Sequence, residues 1–270
     1  MKPTIKLFIW VLVVAAGTLS HIIAQDFEVA PVLVSFDANP GEVQSQKLTI
    51  RNHSNERQRF LLTMADYISD EKGTRKSLEA GSTDRSLINL LTINPSFIDL
   101  NPNESAEVDL NISVPQTFFK TCWGMVLVEV AREQTASGAD KQLATGVLIL
   151  PRITVLVKQS PNANQNFQGK VTGLTEVSQE GKVFRTFEAV VSNTGDKILE
   201  AKVFLALANL ATAEEQSFKP TNVTIYPGQD RRVQLSLPVN PEKGTYAVAF
   251  LMDYGKRSAL EGAQIMLEIK

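Results

Sequence analysis

Glu107-Val108-Asp109-Leu110-Asn111-Ile112-Ser113-Val114 alternates polar and apolar residues without a break. In an extended strand successive side chains point to opposite faces, so this order buries the valines, leucine and isoleucine on one side and wets the other. On a helix the same residues would scatter around the axis. Arg232-Val233-Gln234-Leu235-Ser236-Leu237 repeats the pattern. Elsewhere short runs rich in β-branched residues are broken by clusters of Asn, Gly, Pro, Asp and Ser, the punctuation of strands and turns. Strands are expected over residues 28–36, 46–52, 58–67, 105–114, 124–132 and 145–158. A second group is expected over 170–177, 184–193, 202–209, 222–226, 231–238, 246–254 and 263–269. Helical spacing is scarce: one short helix fits 78–91 and a brief turn fits 206–215. Many short strands at regular intervals imply an all-β chain built as two tandem immunoglobulin-like β-sandwich domains.

Residues 1–24 have a different character. Lys2 and Lys6 precede an unbroken apolar stretch from Leu7 to Ala16, and small residues lead to Ala24 and Gln25. This is the layout of a cleaved secretory signal peptide, and the apolar stretch is shorter than a membrane span needs. The expected division is a signal peptide at 1–24, a first sandwich at 25–158, a linker at 159–168 and a second sandwich at 169–270. The linker reading rests on the polar run KQSPNANQNFQ, which has no periodicity. The flanking segments share a plan. One strand ends at Asn52 and its counterpart at Asn193-Thr194-Gly195. Turns at Pro102 and at Pro227-Gly228 each open an alternating strand. The first half carries extra length, most simply within 69–91.

Composition removes several function classes. The chain has 27 Lys and Arg against 29 Asp and Glu, which leaves no basic surplus for nucleic acid. One Cys and two His exclude a disulfide framework and a multi-cysteine metal site. Ser160 and Ser178 lack the glycines of a nucleophile elbow, and no Gly-rich loop leads into a helix. The expectation is a chain without cofactor, metal or enzymatic chemistry.

Residues 27–158 resemble the N-terminal domain of PapD-like periplasmic pilus-assembly chaperones and bacterial immunoglobulin-like envelope proteins. The resemblance rests on Val34-Ser35-Phe36-Asp37, Leu48-Thr49-Ile50-Arg51-Asn52 and the stretch from Ile93 to Pro102. It continues through residues 122–133 and the apolar run 146–157 after a polar loop. It implies an immunoglobulin-like fold, a protein-binding role and a periplasmic or cell-surface location. It also implies two basic anchor positions for a client carboxylate. These fall at Leu33 and Thr154, neither of them basic, with Arg152 two positions away on the same face.

Two apolar features are the candidate binding elements. In residues 147–157 both faces are apolar. Val147, Ile149, Arg152, Ile153 and Val155 are the candidate groove for a partner strand added by main-chain hydrogen bonds; a central strand buried on both faces is the other reading. Pro151 lacks an N–H and favours an edge. In the preceding strand Trp123, Met125 and Leu127 alternate with Val126, Val128 and Val130. One set faces the core; the other is a partner stripe or an interdomain packing surface. Cys122 reads as a buried thiol. The expected function is an exported, chaperone-like protein that engages envelope or secreted polypeptides. The alternative is a structural envelope component that binds cell wall, glycan or neighbouring proteins. No transmembrane span is expected in the mature chain, and the oligomeric state stays open.

Overall fold

A computed structural model describes residues 26–131, 151–178, 184–238, 241–255 and 260–269. In chain order the first strands are β1 (Phe27–Ala30), β2 (Leu33–Phe36), β3 (Val43–Asn52), β4 (Gln58–Ser69) and β5 (Arg75–Glu79). They continue with β6 (Leu91–Asn94), β7 (Phe97–Leu100), β8 (Ser105–Ser113), β9 (Cys122–Ala131) and β10 (Arg152–Gln159). The second group is β11 (Gly169–Glu176), β12 (Thr186–Asn193), β13 (Leu199–Asn209) and β14 (Glu215–Ser217). It ends with β15 (Thr221–Ile225), β16 (Asp230–Ser236), β17 (Gly244–Asp253) and β18 (Glu261–Ile269). Among the described residues there is no helix, and the fold is all-β, two immunoglobulin-like sandwiches in tandem.

The first sandwich packs the sheet β1-β3-β8-β6 on the sheet β2-β10-β9-β4-β5, with β7 also paired to β4. The alternation in β8 does what its pattern requires: Val108, Leu110 and Ile112 are buried. They meet Leu48 and Ile50 of β3 and, from the facing sheet, Val126, Val128, Val155 and Val157. The Phe27 and Phe60 rings meet in this core at a tilt of 52°, with centroids 5.0 Å apart. The expected first strand is two strands: β1 pairs with β3 and β2 with β10. Between them stands Pro31, which has no N–H for either ladder, so the chain switches sheets there.

The second sandwich packs β11-β12-β16 on β14-β13-β17-β18, with β15 paired to β13. Phe187, Leu199, Val203, Leu205, Val248, Phe250 and Met252 form its core.

The two sandwiches repeat one corner. Asn52 Nδ2 donates to the carbonyls of Glu56 at 2.7 Å and Leu100 at 3.1 Å, while its Oδ1 accepts from the Ser54 N–H at 3.0 Å. Asn193 Nδ2 donates to the carbonyls of Lys197 and Ile225, both at 2.8 Å, and its Oδ1 accepts from the Gly195 N–H at 3.0 Å. Each buried side chain thus turns its strand and ties the corner to the chain entering the next Pro turn.

The short helix expected at 78–91 does not form. Leu78 and Glu79 belong to β5 and Leu91 to β6, and the residues between are turns and bends. The spacing of Leu87, Leu90 and Leu91 yields a single turn, with the N–H groups of Leu90 and Leu91 both bonded to the Leu87 carbonyl. Gly81, Ser82, Thr83 and Asp84 favour turns over helix, and the buried Asp66 carboxylate captures this stretch. It accepts from the Thr83 N–H at 2.9 Å and from the Ser86 hydroxyl at 2.6 Å. Over 206–215, residues 206–209 remain in β13, residues 210–212 turn, and Glu215 begins β14.

Candidate partner-binding cleft

β10 changes character along its length. On one side it pairs antiparallel with β9 throughout, from Arg152 opposite Glu129 to Gln159 opposite Cys122. On the other it pairs parallel with β2, but only from Leu156 opposite Leu33 to Gln159 opposite Phe36. The Leu156 N–H donates to the Val32 carbonyl at 2.9 Å. Main-chain groups alternate sides along a strand, so those of Thr154 and Arg152 face the same way as that of Leu156. Among the described residues no strand meets them.

The side chains of this half are divided between core and surface. Val155 is 0% exposed and sits in the first core, and Ile153 packs partly against it. The expectation that Val155 faces a partner is therefore corrected: both faces of β10 are apolar, and the set containing Val155 is the inward one. Arg152 and Thr154 lie on the opposite face, with Leu156. Val147 and Ile149 lie outside the described residues.

In β9, Val126 and Val128 enter the core, and Trp123, Met125 and Leu127 take the other face, toward the second domain. The stripe is divided. Trp123 is buried against Tyr226, ring centroids 4.9 Å apart, and its Nε1 donates to the Tyr67 carbonyl at 3.0 Å. It is thus a seam residue, closed off by the chain itself. Met125 and Leu127 continue into a cleft of about 380 Å³, lined also by Val32, Arg75, Ser77, Arg152, Thr154 and Leu156. Its floor is apolar and its flanks carry two guanidinium groups. Arg152 pairs with Glu129 across the sheet. Among the described residues no carboxylate pairs with Arg75, whose guanidinium lies 6.0 Å from the Tyr67 ring centre. At the rim Val32 is 56% and Leu33 53% exposed. Sequence reasoning missed Arg75 because β5, a short run of charged residues, has no apolar alternation.

The seam behind the cleft is polar at its edges. Asp196 binds the Arg85 guanidinium and accepts from Asn164 Nδ2 at 2.5 Å and the Thr121 N–H at 3.3 Å. Glu71, at the tip of the β4–β5 hairpin, accepts from Arg232 Nε at 3.0 Å, and its carbonyl accepts the Arg232 N–H at 2.7 Å. The segment between β10 and β11 is fastened to both sandwiches. Asn162 donates to Asp37 at 2.8 Å, Asn164 to the Phe119 carbonyl at 2.9 Å, and the Asn166 carbonyl accepts the Asp196 N–H at 2.9 Å. A Cβ on Gly195 would run into the Asn166 carbonyl, so this approach needs glycine.

Cys122 is fully buried beside Trp123, and burial pushes its thiol up to about 12. Among the described residues no cluster of His, Cys, Asp and Glu is arranged to hold a metal, and no helix is long and apolar enough to cross a membrane.

No family model matches the chain, and no curated protein matches it. Solved structures similar to it include the class 5 fimbriae chaperone CfaA, at 14% identity and TM-score 0.49, covering 90% of this chain and 99% of that one. The E. coli chaperone DraB is similar at 12% identity and TM-score 0.41, covering 90% and 98%. The CsuC–CsuE chaperone–tip adhesion subunit complex of Acinetobacter baumannii is similar at 13% identity and TM-score 0.43, covering 82% and 93%. The likeness extends over most of each chain.

Proposed function

We propose that this chain is an exported, non-enzymatic, chaperone-like binding protein of the periplasm or cell surface. It engages envelope or secreted polypeptides by adding a partner strand to the first half of β10. One observation carries the reading: the main-chain groups of Arg152 and Thr154 face a side on which no described strand pairs with them. Unpaired N–H and C=O groups in a row are a template for another chain. The neighbouring cleft supports it. Met125, Leu127 and Leu156 offer apolar contact to alternate side chains, and Arg75 and Arg152 bring positive charge to a partner's carboxylate. The two arginines supply a positive charge that Leu33 and Thr154 do not.

The test removes a single N–H. Thr154→Pro deletes a donor that no described strand accepts on the open side. The variant is expected to keep its fold and to lose binding of a short synthetic peptide alternating valine and serine. Undiminished binding by a folded variant contradicts strand addition at this edge.

A further inference from the structure

The apolar face of β9 is closed at one end by a residue from the other domain. Tyr226, which follows β15, is buried in a cluster otherwise formed by Ala65, Tyr67, Trp123, Met125 and Leu127 of the first domain, with Leu156 and Ile198 packed beside it. Its ring meets Tyr67 edge-on, centroids 5.5 Å apart at 88°, and the two hydroxyls lie 2.7 Å apart. Tyr67 is fully enclosed and carries the Arg75 guanidinium over its ring. Arg75 stands on an exposed edge strand with a wall of the cleft behind it. A long side chain on such a strand adopts many rotamers unless a neighbour holds it, and the face of an aromatic ring attracts a cation.

We propose that Tyr226 is a positioning residue for the cleft. By fixing the Tyr67 ring through its hydroxyl and its edge, it sets the surface on which the Arg75 guanidinium rests. The second domain thereby decides where the Arg75 guanidinium of the cleft stands, without reaching into the cleft. This rests on the reading of the cleft as a docking place for a partner chain.

Tyr226→Phe keeps the ring contacts and removes only the bond between the two hydroxyls. In the full chain without partner, the Arg75 side-chain N–H signal in nuclear magnetic resonance is expected to exchange faster in this variant than in the parent. The affinity for the valine–serine peptide with a free C-terminal carboxylate is expected to fall about threefold to tenfold, the worth of one such hydrogen bond. That loss is expected to vanish in an Arg75→Gln background and for the amidated peptide. An unchanged Arg75 signal beside a lowered thermal midpoint overturns the proposal, because Tyr226 would then be a structural residue only. If Arg75→Gln leaves peptide affinity untouched, the cleft reading falls, and the partner-free Arg75 signal still decides the positioning role.

Discussion

The N–H of Leu156 donates to the carbonyl of Val32 at 2.9 Å, and this bond marks where β10 passes from edge to interior. On its C-terminal side the strand is flanked by β2 and β9; toward Arg152 only β9 remains among the described residues. One strand therefore serves both a core and a surface, and alternate residues should respond to substitution in opposite ways.

Val155→Asp places a carboxylate among Val126, Val128 and Val157, where it has no partner. A loss of more than about 3 kcal/mol is expected, through an uncompensated buried polar group. Thr154→Asp, on the cleft face, should stay within about 0.5 kcal/mol of the parent. Urea denaturation of the two variants checks the contrast.

Asn52→Ala leaves the carbonyls of Glu56, Leu100 and Asn101 without their side-chain donor, and Asn193→Ala those of Lys197 and Ile225, at equivalent corners of the two sandwiches. Each is expected to cost about 2 kcal/mol, the penalty of an unmet buried polar group. Because the corners share no partners, the double variant should lose the sum. Native-state hydrogen exchange resolves the loss by domain.

Those two asparagines show what was legible. A strand ending in Asn before a later Pro turn is a local signal, and it located the same corner twice. Alternation did the same for β8, where Val108, Leu110 and Ile112 are all enclosed. Short strands without alternation were missed: β5, β6, β7 and β14 are each five residues or fewer. Period two also reports that faces differ, without saying which face the second domain covers. Hence the division of the β9 stripe into a seam residue, Trp123, and cleft residues, Met125 and Leu127, awaited the position of Tyr226. In β10 both faces are apolar, so the inward direction of Val155 had no sequence mark.

Asp196 gathers Arg85, Thr121 and Asn164 of the first domain and the connecting segment onto one carboxylate. Asp196→Ala leaves the partly buried Arg85 guanidinium without its counter-ion, at a cost of about 2 kcal/mol. The expected result is a wider spread of interdomain angles in small-angle X-ray scattering, with both cores still folded.

The Cys122 thiol should resist alkylation at pH 8 in the native chain and react once the chain is unfolded, because the thiolate is the reactive form. The sign for stability follows. The unfolded thiol ionises above about pH 8.5, whereas the folded one is held up to about 12. The native state therefore binds the extra proton in that window, and its stability falls as pH rises, by up to about 1.4 kcal/mol per unit. Cys122→Ser should flatten this dependence in denaturant midpoints measured from pH 8 upward.

Backbone amide exchange at β10 tests strand addition most directly. In the free chain the Thr154 N–H should exchange quickly, while those of Ile153 and Val155, on the β9 side, exchange slowly. With the valine–serine peptide bound, Thr154 and Arg152 should become protected as well. A bound peptide that leaves both amides as exposed as before would contradict the account, because the partner would then be held elsewhere on the molecule.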